Sequence, residues 1–165
     1  MIALFRIDRH LWSVPILVFL VTELALLVWS ATSRGPVLLA AAPADSRQQI
    51  YSSLTGSSSV LLGLALAAVA ILTAFGPRAA RAGVQARSET QLARARTTLV
   101  GSLLVASFFL LVVLITATLA LAVDSKHIGN GAITTIIEGS VVASVLGLLI
   151  GGLGLALVIA ERSQQ

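Results

Sequence analysis

Two carboxylates stand where a carboxylate is expensive. Glu23 and Glu138 each interrupt a long apolar run. An ionised side chain at membrane depth costs at least a few kcal/mol. Glu23 lies six residues before Trp29, and Glu138 six residues after Ala132. At helical rise both fall roughly 9 Å below one face of a bilayer. The hydroxyls of Ser57, Ser58, Ser59, Thr116 and Thr118 fall near the same depth in two further runs. One polar layer crossing four helices is therefore expected. Its chemistry has two readings. Protonated carboxyls bonded to the hydroxyls would lock helix register. Alternatively, the layer is an ion or proton site, or in an oligomer a set of carboxylate rings lining a cation path.

Gly139, Ala143, Gly147 and Gly151 recur every four residues, with Gly154 extending the row and Ser140 and Ser144 flanking it. Small residues at this spacing let helix backbones approach closely in lipid. The row is expected to pack helices within the protomer, with self-association as a large part of its role. Arg78, Arg81, Arg87, Arg94 and Arg96 form a third group. They set topology, or contact anionic lipid or a cytosolic partner. No aromatic residue stands among them to stack on bases, so nucleic acid is not an expected partner. The chain has no cysteine and two histidines, His10 and His127, which fall at opposite membrane faces. A thiol nucleophile and the usual metal sites are thereby excluded. No catalytic arrangement occurs in a water-accessible segment, so neither an enzyme nor a cofactor is expected. Gly151-Gly152-Leu153-Gly154 lies in an apolar run and lacks the lysine of a phosphate loop.

The elements that must position these groups are four apolar runs, about 11–31, 53–75, 99–123 and 132–160. Each reaches the roughly 20 residues that a bilayer core demands. None alternates with period two, and lipid leaves helices as the way to satisfy the backbone. The composition agrees: 57% of the 165 residues are hydrophobic and 11% charged, against about 25% charged in soluble domains. The fold class expected is all-α, a single membrane domain (1–165) with four transmembrane helices. The first run is too long for the 7–15 apolar residues of a signal peptide, so it is read as a span. Trp12 and Trp29 bracket it, and Tyr51 is expected to mark the outer entrance of the second. Gly76-Pro77 closes the second run, Gly83 is a plausible break in the basic loop 77–98, and Gly129-Asn130-Gly131 signals a tight turn.

Charge orients the spans. Arg6, Arg9, Arg162 and the five loop arginines share one side; Arg34, Arg47 and Lys126 share the other. The positive-inside rule makes both termini cytoplasmic.

Residues Arg47-Gln48-Gln49-Ile50-Tyr51-Ser52-Ser53-Leu54-Thr55-Gly56-Ser57, running into an Ala/Leu span, resemble four-span bacterial membrane proteins of uncharacterised role. The layout is similar to that of small four-span components of anti-phage defence systems. That resemblance implies a bacterial plasma-membrane location and a membrane sensor or membrane-perturbing effector paired with a cytosolic protein. It carries over no functional residue. Three functions follow: a homo-oligomeric channel or effector, a non-conducting sensor or scaffold recruiting a partner through its arginines, or a small dimeric transporter.

Overall fold

The computed structural model describes residues 13–33, 39–74, 85–123 and 130–162. Their architecture is four helices: α1 (Val14–Ser33), α2 (Ala44–Ala74), α3 (Gln85–Val123) and α4 (Gly131–Arg162). All four are long and apolar enough to cross a membrane. The protein is an all-α, multi-pass membrane protein.

Local sequence sets the helix starts. Pro15 occupies the first turn of α1, where a missing N–H costs nothing. Pro43 O accepts the Arg47 N–H at 2.9 Å and so opens α2, with Asp45 complementing the positive end of the helix dipole. This start lies a full two turns before the apolar run at Ser53, because the polar segment Ser46–Ser52 is helical too. Asn130 caps α4: its Oδ1 accepts the Ala132 N–H at 3.1 Å and its carbonyl accepts Thr134 N–H at 3.0 Å. Of the expected tight turn, Asn130-Gly131 thus serves as the helix cap. Gly76-Pro77, Gly83, Trp12, His10 and His127 lie outside the described residues.

The helices pack in the order α2, α3, α4, α1, with α1 also touching α3. The centre belongs to α3 and α4. Each buries 44% of its membrane window, against 6% for α1 and 11% for α2. The outward faces of α1 and of the second half of α2 carry apolar chains such as Leu17, Leu20, Leu24, Leu64 and Ile71. In lipid that exposure is ordinary, because there is no hydrophobic drive to cover it.

Small residues make the α3–α4 contact close. An added Cβ at Gly147 would stand 2.9 Å from Ala106 Cβ, and one at Gly151 would stand 3.0 Å from Leu103. Gly154 is covered by Leu99. Ser102 Oγ donates to Gly147 O across the contact at 3.3 Å. On the other side of α4, Pro15 covers Gly147 and Phe19 covers Gly139. Phe19 also meets Phe109 of α3, ring centres 5.1 Å apart. The row Gly139, Ala143, Gly147, Gly151 and Gly154 is therefore consumed within the protomer. The share of self-association expected from it is corrected: α1 and α3 occupy the face.

Candidate functional site: a carboxyl pair and a polar helix face

The end of the protomer where α2 and α4 begin is built on a small core of Tyr51, Ala117, Ala120 and Ile137. Leu39, Leu54, Ile133 and Val141 pack against it. Tyr51 is 1% exposed, so its ring packs inside the protomer. Its ring belongs to the seam where α2 meets α3 and α4. Above the core, the turn Leu39–Ala42 is closed by Ala42 N–H donating to Leu39 O at 3.2 Å.

Glu138 reaches this turn. Its Oε1 accepts the Leu39 N–H at 2.8 Å, a bond spanning 99 positions of sequence. Glu23 comes from α1 and lays its carboxyl on Gly139, the residue after Glu138. A Cβ at position 139 would stand 2.5 Å from Glu23 Oε1, so glycine makes the room. That oxygen is buried and has no hydrogen-bond partner among the described residues. Ser140, one residue further along α4, also has a buried hydroxyl without a partner among the described residues. Among the described residues, no group of three His, Cys, Asp or Glu side chains is placed to hold a metal ion.

The sequence placed five hydroxyls in the same layer. The structure gives each of them to its own helix. Ser57 Oγ donates to Ser53 O at 2.7 Å, Ser58 to Leu54 O at 2.5 Å and Ser59 to Gly56 O at 2.9 Å. Thr116 donates to Val112 O at 2.6 Å and Thr118 to Leu114 O at 2.7 Å. A hydroxyl in lipid always has a carbonyl one turn back, and that local partner wins over a distant carboxyl. The expected network of carboxyls and hydroxyls is thus corrected. The helix order explains why: α1 and α2 form no extensive interface, so the serines of α2 sit across the molecule from Glu23.

What α2 does instead is present polar groups outward. Ser46, Gln49, Ser53, Ser57 and Ser59 are exposed, and so are Gly56 and Gly63, which have open space where a Cβ would stand. Ser46, Gln49, Ile50, Ser53, Leu54 and Ser57 line an open groove of about 370 Å³. A second groove, about 520 Å³, runs between α1 and α3 and is walled by apolar residues such as Phe19, Leu20, Leu104 and Phe108.

Arg47 is the functional candidate that sequence reasoning missed. It stood as one of three outer-side charges, whereas the structure buries it to 1% exposure with Nη1 donating to Ala42 O at 2.6 Å. Its neighbours Ser46, Gln48 and Gln49 are all exposed, so nothing local distinguished it. Of the basic cluster, Arg87, Arg94 and Arg96 lie on α3 before its membrane window at Thr97, whereas Arg78 and Arg81 lie outside the described residues.

Comparison with known proteins finds no matching family model, no matching curated protein and no matching solved structure.

Proposed function

We propose that the chain is the protomer of a homo-oligomeric membrane module whose copies meet along α2, with a hydrated path for small cations at that contact. The exposed polar face of α2 carries this reading. The hydroxyls of Ser53 and Ser57 face outward at the head of the apolar run, and the Gln49 amide and the Ser46 hydroxyl share their groove. Copies inserted with the same orientation bring like residues to like depth. Hydroxyls and an amide both donate and accept, so such a face is complementary to itself. The small-residue face of α4 is already occupied within the protomer, and the outward polar face of α2 supports that helix as the contact. In the context implied by the resemblance to defence-system components, such a module would act as a membrane-perturbing effector in a bacterial plasma membrane, with both termini cytoplasmic.

A non-conducting scaffold is the second reading. It is favoured by the helical continuation of α3 from Gln85 to Arg96 ahead of the membrane window, which would hold Arg87, Arg94 and Arg96 for a cytosolic partner.

The chain lacks cysteine, so single-cysteine variants test both. Ser53→Cys is expected to cross-link between copies in membranes. Cation flux through proteoliposomes is expected to fall when Ser57→Leu is introduced. Cross-links without flux would favour the scaffold. Absence of cross-links at position 53, with cross-links elsewhere on the surface, would refute assembly through α2.

A further inference from the structure

The groove between α1 and α3 holds about 520 Å³, and every side chain lining it is apolar. Its floor is aromatic. Phe109 of α3 is buried, and its ring centre lies 5.1 Å from that of the half-buried Phe19 of α1. Ile16 and Leu20, one turn apart on α1, are exposed and form one rim. Leu104 and Phe108, one turn apart on α3, are exposed and form the other. Phe108 meets Phe109 edge-on with ring centres 5.6 Å apart, so its ring stands at a steep angle to the floor.

The position of the groove along α3 gives its depth. The membrane window of α3 opens at Thr97. Leu104 and Phe109 stand seven and twelve residues beyond it, roughly 10 and 18 Å at helical rise. One leaflet contributes about 15 Å of hydrocarbon. The groove therefore lies level with the far half of the acyl chains in the leaflet where α3 enters. At the head of that leaflet, Arg94 and Arg96 stand three residues and one residue before the window. Lipid tails are as apolar as leucine, so burial alone gives the groove no drive to choose an occupant. The choice falls to fit along the chain and to charge at its head. A second copy docked on α3 would bring the same positive charges to this level, whereas an anionic lipid brings the opposite sign.

We infer that the α1–α3 groove seats one acyl chain of an anionic phospholipid, with its headgroup at the level of Arg94 and Arg96. The phenylalanine floor and the two aliphatic and aromatic rims grip the chain, and the arginines select the head. Each arginine near an anionic headgroup is worth about fivefold in preference. No residue of α2 lines the groove, so the seat does not depend on assembly through that helix.

The test is quenching of a single tryptophan by phospholipids brominated on their chains. Full-length protein carrying Trp12→Phe and Trp29→Phe has no other tryptophan, and Phe108→Trp then places one on the rim. The protein is reconstituted in phosphatidylcholine vesicles holding a small fraction of brominated phosphatidylglycerol or of brominated phosphatidylcholine. Half-quenching should need on the order of twentyfold less of the anionic lipid. Leu20→Trp, on the opposite rim, should repeat that preference, which guards against a local disturbance by either substitution. Leu149→Trp is the control: it is exposed on α4, two residues from Gly147 and so at the same depth, and both lipids should quench it alike. Arg96→Gln should cut the preference at the rims about fivefold and leave the control unchanged. Equal quenching by the two lipids at both rims would overturn the seat, as would a preference that survives Arg94→Gln and Arg96→Gln together. Rims quenched by neither lipid, beside a quenched control, would assign the groove to a second copy and overturn it too.

Discussion

A single methyl group at Gly147 should separate a face built inside the protomer from one built between protomers. A Cβ there would lie 2.9 Å from Ala106 Cβ, 3.4 Å from Ala106 Cα and 3.5 Å from Pro15 Cγ. Carbon atoms prefer roughly 3.5–4.0 Å. Two of the three neighbours cannot rotate away, since Ala106 offers a backbone carbon and a Cβ fixed to it. Helices α3 and α4 must therefore part by about half an ångström or more, which the contact distances imply. Overpacking of this kind costs about 1–3 kcal/mol. Parting also lengthens the Ser102 Oγ to Gly147 O bond, already 3.3 Å, for a further loss of about 0.6 kcal/mol. Gly152→Ala is the matched control, because nothing lies within 4 Å of a Cβ at that exposed position. Both changes alter helix propensity alike, so that contribution cancels in the comparison. Gly147→Ala should be less stable than Gly152→Ala by about 2 kcal/mol. Unfolding in mixed micelles titrated with sodium dodecyl sulfate, followed by tryptophan fluorescence, measures the difference. Equal stability of the two variants would refute the packing assigned to this face. So would a Gly147→Ala protein that loses oligomers while its protomer stays as stable as before.

Other consequences follow from the same contacts. Asn130→Ala removes the cap of α4 and should destabilise the protein by about 1 kcal/mol in that assay. Arg47→Leu breaks a charged hydrogen bond to Ala42 O and should cost about 1.5–3 kcal/mol, whereas an exposed neighbour change, Gln48→Leu, should cost far less. Membrane-impermeant maleimide applied to intact cells should label Ser46→Cys from outside, and Ser88→Cys only after permeabilisation; the reverse pattern would invert the topology. At Glu23, glutamine should be tolerated by the fold, because a neutral side chain suits a buried site that offers its Oε1 no partner.

Much of the fold was legible along the chain. Apolar runs of membrane length force helices, since lipid leaves the backbone no other partner. Asn130 stood out within a turn signal because such residues act locally, whereas the start of α2 at Ala44, ahead of the apolar run expected from Ser53, did not. Glu23 and Glu138 drew notice as carboxyls among apolar residues, and helical rise alone put them at a common depth. Which helices are neighbours is different in kind. It depends on how side chains fit across distances in sequence, and the order α2, α3, α4, α1 has no signature in any single segment. That order decided the rest. It turned the glycine row of α4 inward against Ala106, Leu103 and Pro15, and left the serines of α2 facing outward. It joined Glu138 to Leu39 and buried Arg47 beneath the same turn. Sequence determined that the protein spans a membrane, because that follows from residue type and the length of its apolar runs. Tertiary structure decided which polar groups meet, because packing chooses the direction each helix face points.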